Sequence, residues 1–282
     1  MRNSLSQRPA HQWAADVFVR FGKNHGTRTI AGYEFFNFAN LQDQPLPDDV
    51  RDRVIGAYGD WVENVVAKPD FRQHRPQNRG LTAEDIAAGK GVGICPALTQ
   101  ALENQTVWIA VDPLGSDGEE ITTNMLRAKL APLKEGFFEF EPDNLRGVGI
   151  VFPNVSAEDA EMIIQPLVHE LKPEFLQVGL LPGFFHPKDK TRSRYHDPKA
   201  DLGPNPLYPN RGPVPSFFLR RTMPSDVKVF EKFDDAVKVT LYQAFIEYWT
   251  AEGKGDNRFI QSARERLAEL RRELGMSDGE SE

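Results

Sequence analysis

The apolar run LQVGLLPGFF at residues 176–185, stopped at once by His186-Pro187, constrains the fold more than any other segment of the chain. Its length and composition read as a buried strand, and the His-Pro step ends it abruptly. That ending leaves the imidazole of His186 at the rim of a sheet, where binding sites are usually built. A buried strand needs partners. The runs TVWIAV at 106–111, GVGIVF at 147–152 and VPSFFLRR at 214–221 supply them, with a further short strand expected at 137–140.

Helical patterns alternate with these runs. Residues 48–68 place Val50, Val54, Tyr58, Trp61 and Val65 on one face, with acids in the first turn. Thr82 to Asp85 reads as an N-capped helix start, and a helix is expected over 121–133. Over 156–171, Ser156 is the cap and Ala160, Ile163, Ile164, Leu167 and Leu171 form the buried stripe. Strand, helix and strand over 147–185 suggest a right-handed crossover between parallel or near-neighbour strands. Residues 234–249 repeat Val237, Leu241, Phe245 and Trp249. From Asp256, Phe259, Ala263, Leu267, Leu270 and Leu274 lie among dense Arg and Glu, so a surface helix and an acidic end are expected. The polar stretch 70–80 is a loop by composition.

The architecture expected is α+β: a mostly antiparallel sheet with helices packed over one face and a C-terminal surface helix. Its organisation is an N-terminal arm over 1–32, one α+β domain over 33–255, and the C-terminal helix and tail over 256–282. The arm packs onto the body or onto a second subunit, so a homodimer is compatible with it.

Composition narrows the functional classes. An apolar fraction of 40% is ample for a core, no window approaches about 18 apolar residues, and the N-terminus lacks the pattern of a secretory signal. A cytoplasmic protein without membrane partners is expected. The single cysteine, Cys95, fits a reducing compartment and excludes an internal disulfide or a multi-thiolate metal site. A net charge of −7 disfavours nucleic acid as a partner. The glycine segment GVGICP at 91–96 lacks the GxGxxG order, and no GxSxG occurs, so neither dinucleotide binding nor a serine nucleophile elbow is expected.

Five segments, GICP, VFPNVSAEDAE, LKPEFLQVGLLPGFFHP, RYHDP and PVPSFFLRRTMPSD, resemble an uncharacterised bacterial family known as domain of unknown function 6875. The likeness runs over about 91–230 and is most specific at Phe185-His186-Pro187 and at the arginine strand ending in Arg220 and Arg221. Ala97 after Cys95-Pro96 and the long insert 199–212 depart from its pattern. The resemblance implies a cytoplasmic protein of specialised metabolism. More distantly, the chain is similar to haem-dependent enzymes that oxygenate amine or guanidine nitrogens of amino acids.

On that footing, haem is the expected cofactor and a small amino acid or amine the expected substrate. His186, closing an apolar strand, offers an axial imidazole, and the alternative is a histidine that caps the following turn. His196, in a basic turn, is the candidate catalytic residue as a distal proton donor, with the axial role or a solvated loop position as alternatives. Arg220 and Arg221 alternate along a strand, so only one can point into a pocket, where its fork suits a propionate or a substrate carboxylate. The plainer outcome pairs one with Asp226 and leaves the other in water. Cys95 is a thiolate ligand or, more ordinarily, a small buried hydrophobe. A second reading groups His186, Asp189, His196 and Asp197 as a non-haem metal site, and a third is a non-enzymatic protein that binds an acidic small molecule.

Overall fold

Strands form where the short apolar runs place them. The computed structural model describes residues 27–44, 46–62, 82, 84–85, 96–140, 146–189 and 211–276. Cys95, His196, Asp197, the loop 70–80, the segment 91–95 and most of the 199–212 insert lie outside the described residues.

Six strands, β1 (Arg28–Ile30), β2 (Tyr33–Asn37), β3 (Val107–Val111), β4 (Gly147–Val151), β5 (Leu180–Phe185) and β6 (Ser216–Arg221), form one mostly antiparallel sheet in the order β1-β2-β3-β4-β6-β5. β1 pairs antiparallel with β2, and β2 antiparallel with β3. β3 and β4 run parallel, in register from Val107 opposite Gly147 to Val111 opposite Val151. Every residue of β4 is buried, which is why both runs read as continuously apolar rather than alternating. Gly147 is needed where it stands, because a Cβ there would run into the ring of Phe218.

The helices are α1 (Asp48–Arg51, continuing as wider π turns over Asp52–Gly59), α2 (Pro96–Glu103), α3 (Thr123–Leu130), α4 (Leu133–Gly136), α5 (Ala157–Asp159, Ala160–Ile164 and Gln165–Gln177), α6 (Asp235–Ala251) and α7 (Arg258–Glu273). Val54, Tyr58 and Trp61 are buried on α1 as the spacing predicts. The Thr82 and Ser156 caps form: their hydroxyls accept from the backbone N–H of Asp85 and Asp159, at 3.1 and 3.0 Å.

Three details differ from the expectations. Residues 137–139 form a 3-10 turn directly after α4 rather than a strand, with Phe137 buried and Phe138 exposed. α5 runs on through Pro173 to Gln177, so β5 starts at Leu180 and not at Leu176. β4 and β5 do stand as near neighbours, with β6 between them, and β3 and β4, joined through α3 and α4, form a parallel pair. Val237 is exposed on α6, while Leu241, Phe245 and Trp249 are buried.

The chain divides into two compact units, one of residues 1–166 with 183–218 and the other of 167–182 with 219–282. The first has a core that includes Phe36, Val54, Tyr58, Trp61, Ile109 and Val151. The second has its own, including Leu176, Phe230, Leu241, Phe245, Trp249 and Ile260. Among the described residues, no helix is long and apolar enough to cross a membrane.

Candidate functional site

The end of β5 delivers His186 in the first unit, as the His-Pro step predicts. The side chain is fully buried. Its ring stacks on Phe184 at 5.6 Å between centroids, and its Nε2 lies 3.0 Å from Oε1 of Gln165, contributed by α5. Asp189, itself 2% exposed, brings Oδ2 to 4.0 Å from the same nitrogen. The turn that places Asp189 is closed by its backbone N–H donating to the carbonyl of His186 at 3.1 Å, and Arg211 donates to the carbonyl of Asp189 at 3.3 Å. Phe185 on the same strand packs against Trp61 at 5.3 Å.

The donor set decides whether this imidazole suits a metal. Gln165 presents an acceptor to Nε2, so Nε2 donates to it. A metal-bound histidine ordinarily has its second nitrogen tied to an oxygen in this manner, which fixes both tautomer and ring orientation. The arrangement therefore fits an iron-bound imidazole in its chemistry. The ring is enclosed on all sides, so coordination at Nδ1 requires neighbouring groups to move. Among the described residues, no three His, Cys, Asp or Glu side chains are grouped to hold a metal.

Arg220 and Arg221 lie in the second unit and have different surroundings. Arg220 forms a two-pronged pair with Asp226, at 2.8 Å from Nη1 to Oδ2 and 2.7 Å from Nη2 to Oδ1, and Nη1 also donates to the carbonyl of Arg221 at 2.8 Å. Asp226 is further held by the backbone N–H of Met223 at 2.7 Å. Internal pairing with Asp226 is thus the arrangement found for Arg220. Arg221 is half-buried and hydrogen-bonded to Tyr248, not left in water.

Two further polar clusters carried no signal strong enough to be singled out by sequence. At the end of β3, Asp112 accepts from Tyr33 Oη at 2.8 Å, from Lys129 Nζ at 3.0 and 3.1 Å and from the backbone N–H of Leu114 at 2.9 Å. Its acceptor capacity is spent on the fold, and burial beside this carboxylate pushes the Tyr33 phenol up. In the second unit, Lys172 of α5 is 4% exposed and donates to the carbonyl of Pro182. Phe233 sits 5.8 Å from its Nζ, 5.4 Å from that of Lys232 and 4.9 Å from the ring of His169. Burial, then Lys232 and Arg220, push the Lys172 amine down to about 7, with Asp226 acting in the opposite direction. Burial, Lys172 and Lys232 push His169 down to about 4. Lys172 falls four residues after Val168 and four before Leu176, a core position for a helix, and that was the available signal.

A family model described as Domain of unknown function (DUF6875) matches residues 79–257. No curated protein and no solved structure matches the chain.

Proposed function

From the premise that the chain belongs to the domain of unknown function 6875 family, we propose that it is a haem-dependent oxidative enzyme acting on a small amino acid or amine in specialised metabolism. The observation that carries this reading is the buried His186, oriented through Nε2 by Gln165 at the end of an apolar strand. When bound, haem supplies oxygen activation and one-electron chemistry that no side chain of this protein provides. His186 would hold the group, with Gln165 orienting the ring through Nε2 and the Asp189 carboxylate 4.0 Å from the same nitrogen. Phe184, stacked on the ring, gives the imidazole an apolar neighbour. His196 is assigned proton delivery to the substrate side, and cytoplasmic location follows from the same reading.

Protein expressed with added haem precursor is expected to show a Soret band that is lost or displaced in His186→Ala and retained in Arg220→Lys. Absence of a Soret band, with no spectral change on hemin titration, would overturn the proposal. Stoichiometric zinc or non-haem iron in such a sample would favour the metal reading through His186 and His196 instead, and the absence of both would favour a binding protein.

A further inference from the structure

The second unit contains an amine whose surroundings suit covalent chemistry. Lys172 is buried, and its hydrogen bond goes to the neutral carbonyl of Pro182 rather than to a carboxylate. The charged groups that act on it are Lys232, Arg220 and Asp226, two cations against one anion, and both oxygens of that anion are already held by Arg220. A buried ammonium in that field is disfavoured twice, by lost hydration and by like charge, so the neutral amine with its nucleophilic lone pair is favoured. The cluster also reaches the surface: Phe233 and His169 are half-buried, and Lys232 is exposed. Lys172 thus shares the Phe233 ring with an imidazole and a second cation.

We propose that Lys172 forms an imine with a small 2-oxo acid, its amine taking the carbonyl carbon and Lys232 the carboxylate. The neutral amine attacks the carbonyl carbon to form the C–N bond. The carbonyl oxygen takes up two protons and leaves as water, while the nitrogen loses both of its own, so amine and carbonyl give imine and water with no oxidant or reductant. His169, one turn earlier on α5 and against the same Phe233 ring, is uncharged near pH 7. An ordinary lysine is almost wholly protonated at that pH and reacts slowly by comparison.

The test uses the full chain at pH 7 with glyoxylate and cyanoborohydride, which reduces any imine to a stable secondary amine, followed by peptide mapping. The expected result is one adduct, on Lys172, formed about tenfold or more faster than at exposed lysines. Lys172→Arg removes the nucleophilic amine and should abolish that adduct alone. Labelling spread over surface lysines with Lys172 untouched, or an adduct that persists in the same peptide of Lys172→Arg, overturns the proposal. If the variant does not fold, the wild-type map still decides. Neither outcome depends on haem, so the two proposals fail separately.

Discussion

Lys172 occupies a core position on α5, and its amine is enclosed in the field of Lys232 and Arg220. The consequence for stability follows from linkage. Its value in the folded chain is depressed to about 7, against an ordinary 10.5, so between those limits the unfolded chain binds a proton that the folded chain does not. Stability therefore rises with pH across this window by about 1 kcal/mol per pH unit, and below pH 7 the full cost is present. Replacing the amine by a methyl thioether of similar length removes that cost. Lys172→Met is expected to be more stable than the parent at pH 7 by about 1–4 kcal/mol, with the difference shrinking towards pH 10, as measured by urea unfolding at a series of pH values. A variant that is less stable at pH 7 would show that the amine is held by interactions stronger than its hydrogen bond to Pro182. Arg220 shows the opposite case: a guanidinium whose fork is matched by a single buried carboxylate, so its charge is compensated where it lies.

The boundary between α5 and β5 turns on one glycine. Pro173 lacks an N–H for the helical ladder, yet Leu167, Val168, Leu171, Phe175 and Leu176 are all buried along α5, and burial of this face outweighs the lost bond. The helix stops where Gly179 adopts φ +76°, with its N–H bonded to the carbonyl of Leu176 at 2.9 Å. A side chain there is excluded twice, by the left-handed backbone and by the ring of Tyr248, which lies where a Cβ would go. Gly179→Ala is expected to lower stability by about 2–4 kcal/mol, combining the conformational penalty with overpacking, and a thermal scan by circular dichroism checks it. An unchanged midpoint would mean that Tyr248 yields without cost. The VG pair at 178–179 reads equally as part of an apolar strand or as a helix stop, so periodicity alone could not place this boundary.

At the scale of the whole molecule, the chain between Leu167 and Pro182 belongs with residues 219–282 and not with the segments on either side of it in sequence. α7 is part of that unit's interior: Ile260, Ala263 and Leu270 are fully buried, while Leu274 is 43% exposed. Removing residues 256–282 strips those side chains from the core and is expected to cost about 4–6 kcal/mol, a large share of the stability of an ordinary domain. The truncated chain should bind a hydrophobic dye and unfold at a markedly lower temperature. Unaltered melting would reduce α7 to a surface attachment. The sequence by itself determined the α+β class, the strands at 107–111, 147–151 and 216–221, the Ser156 and Thr82 caps, and the burial of the α1 face, because each depends on local periodicity or on hydrogen bonds a few residues long. The same local signal located His186 at a strand end, but not the Gln165 oxygen that orients it, which arrives from 21 residues away. Which strands are neighbours, whether Arg220 meets Asp226 or a ligand, and how far Lys172 is from a counter-charge were decided only by tertiary structure. These are matters of distance between parts of the chain that sequence order does not measure, and charge and burial act through that distance.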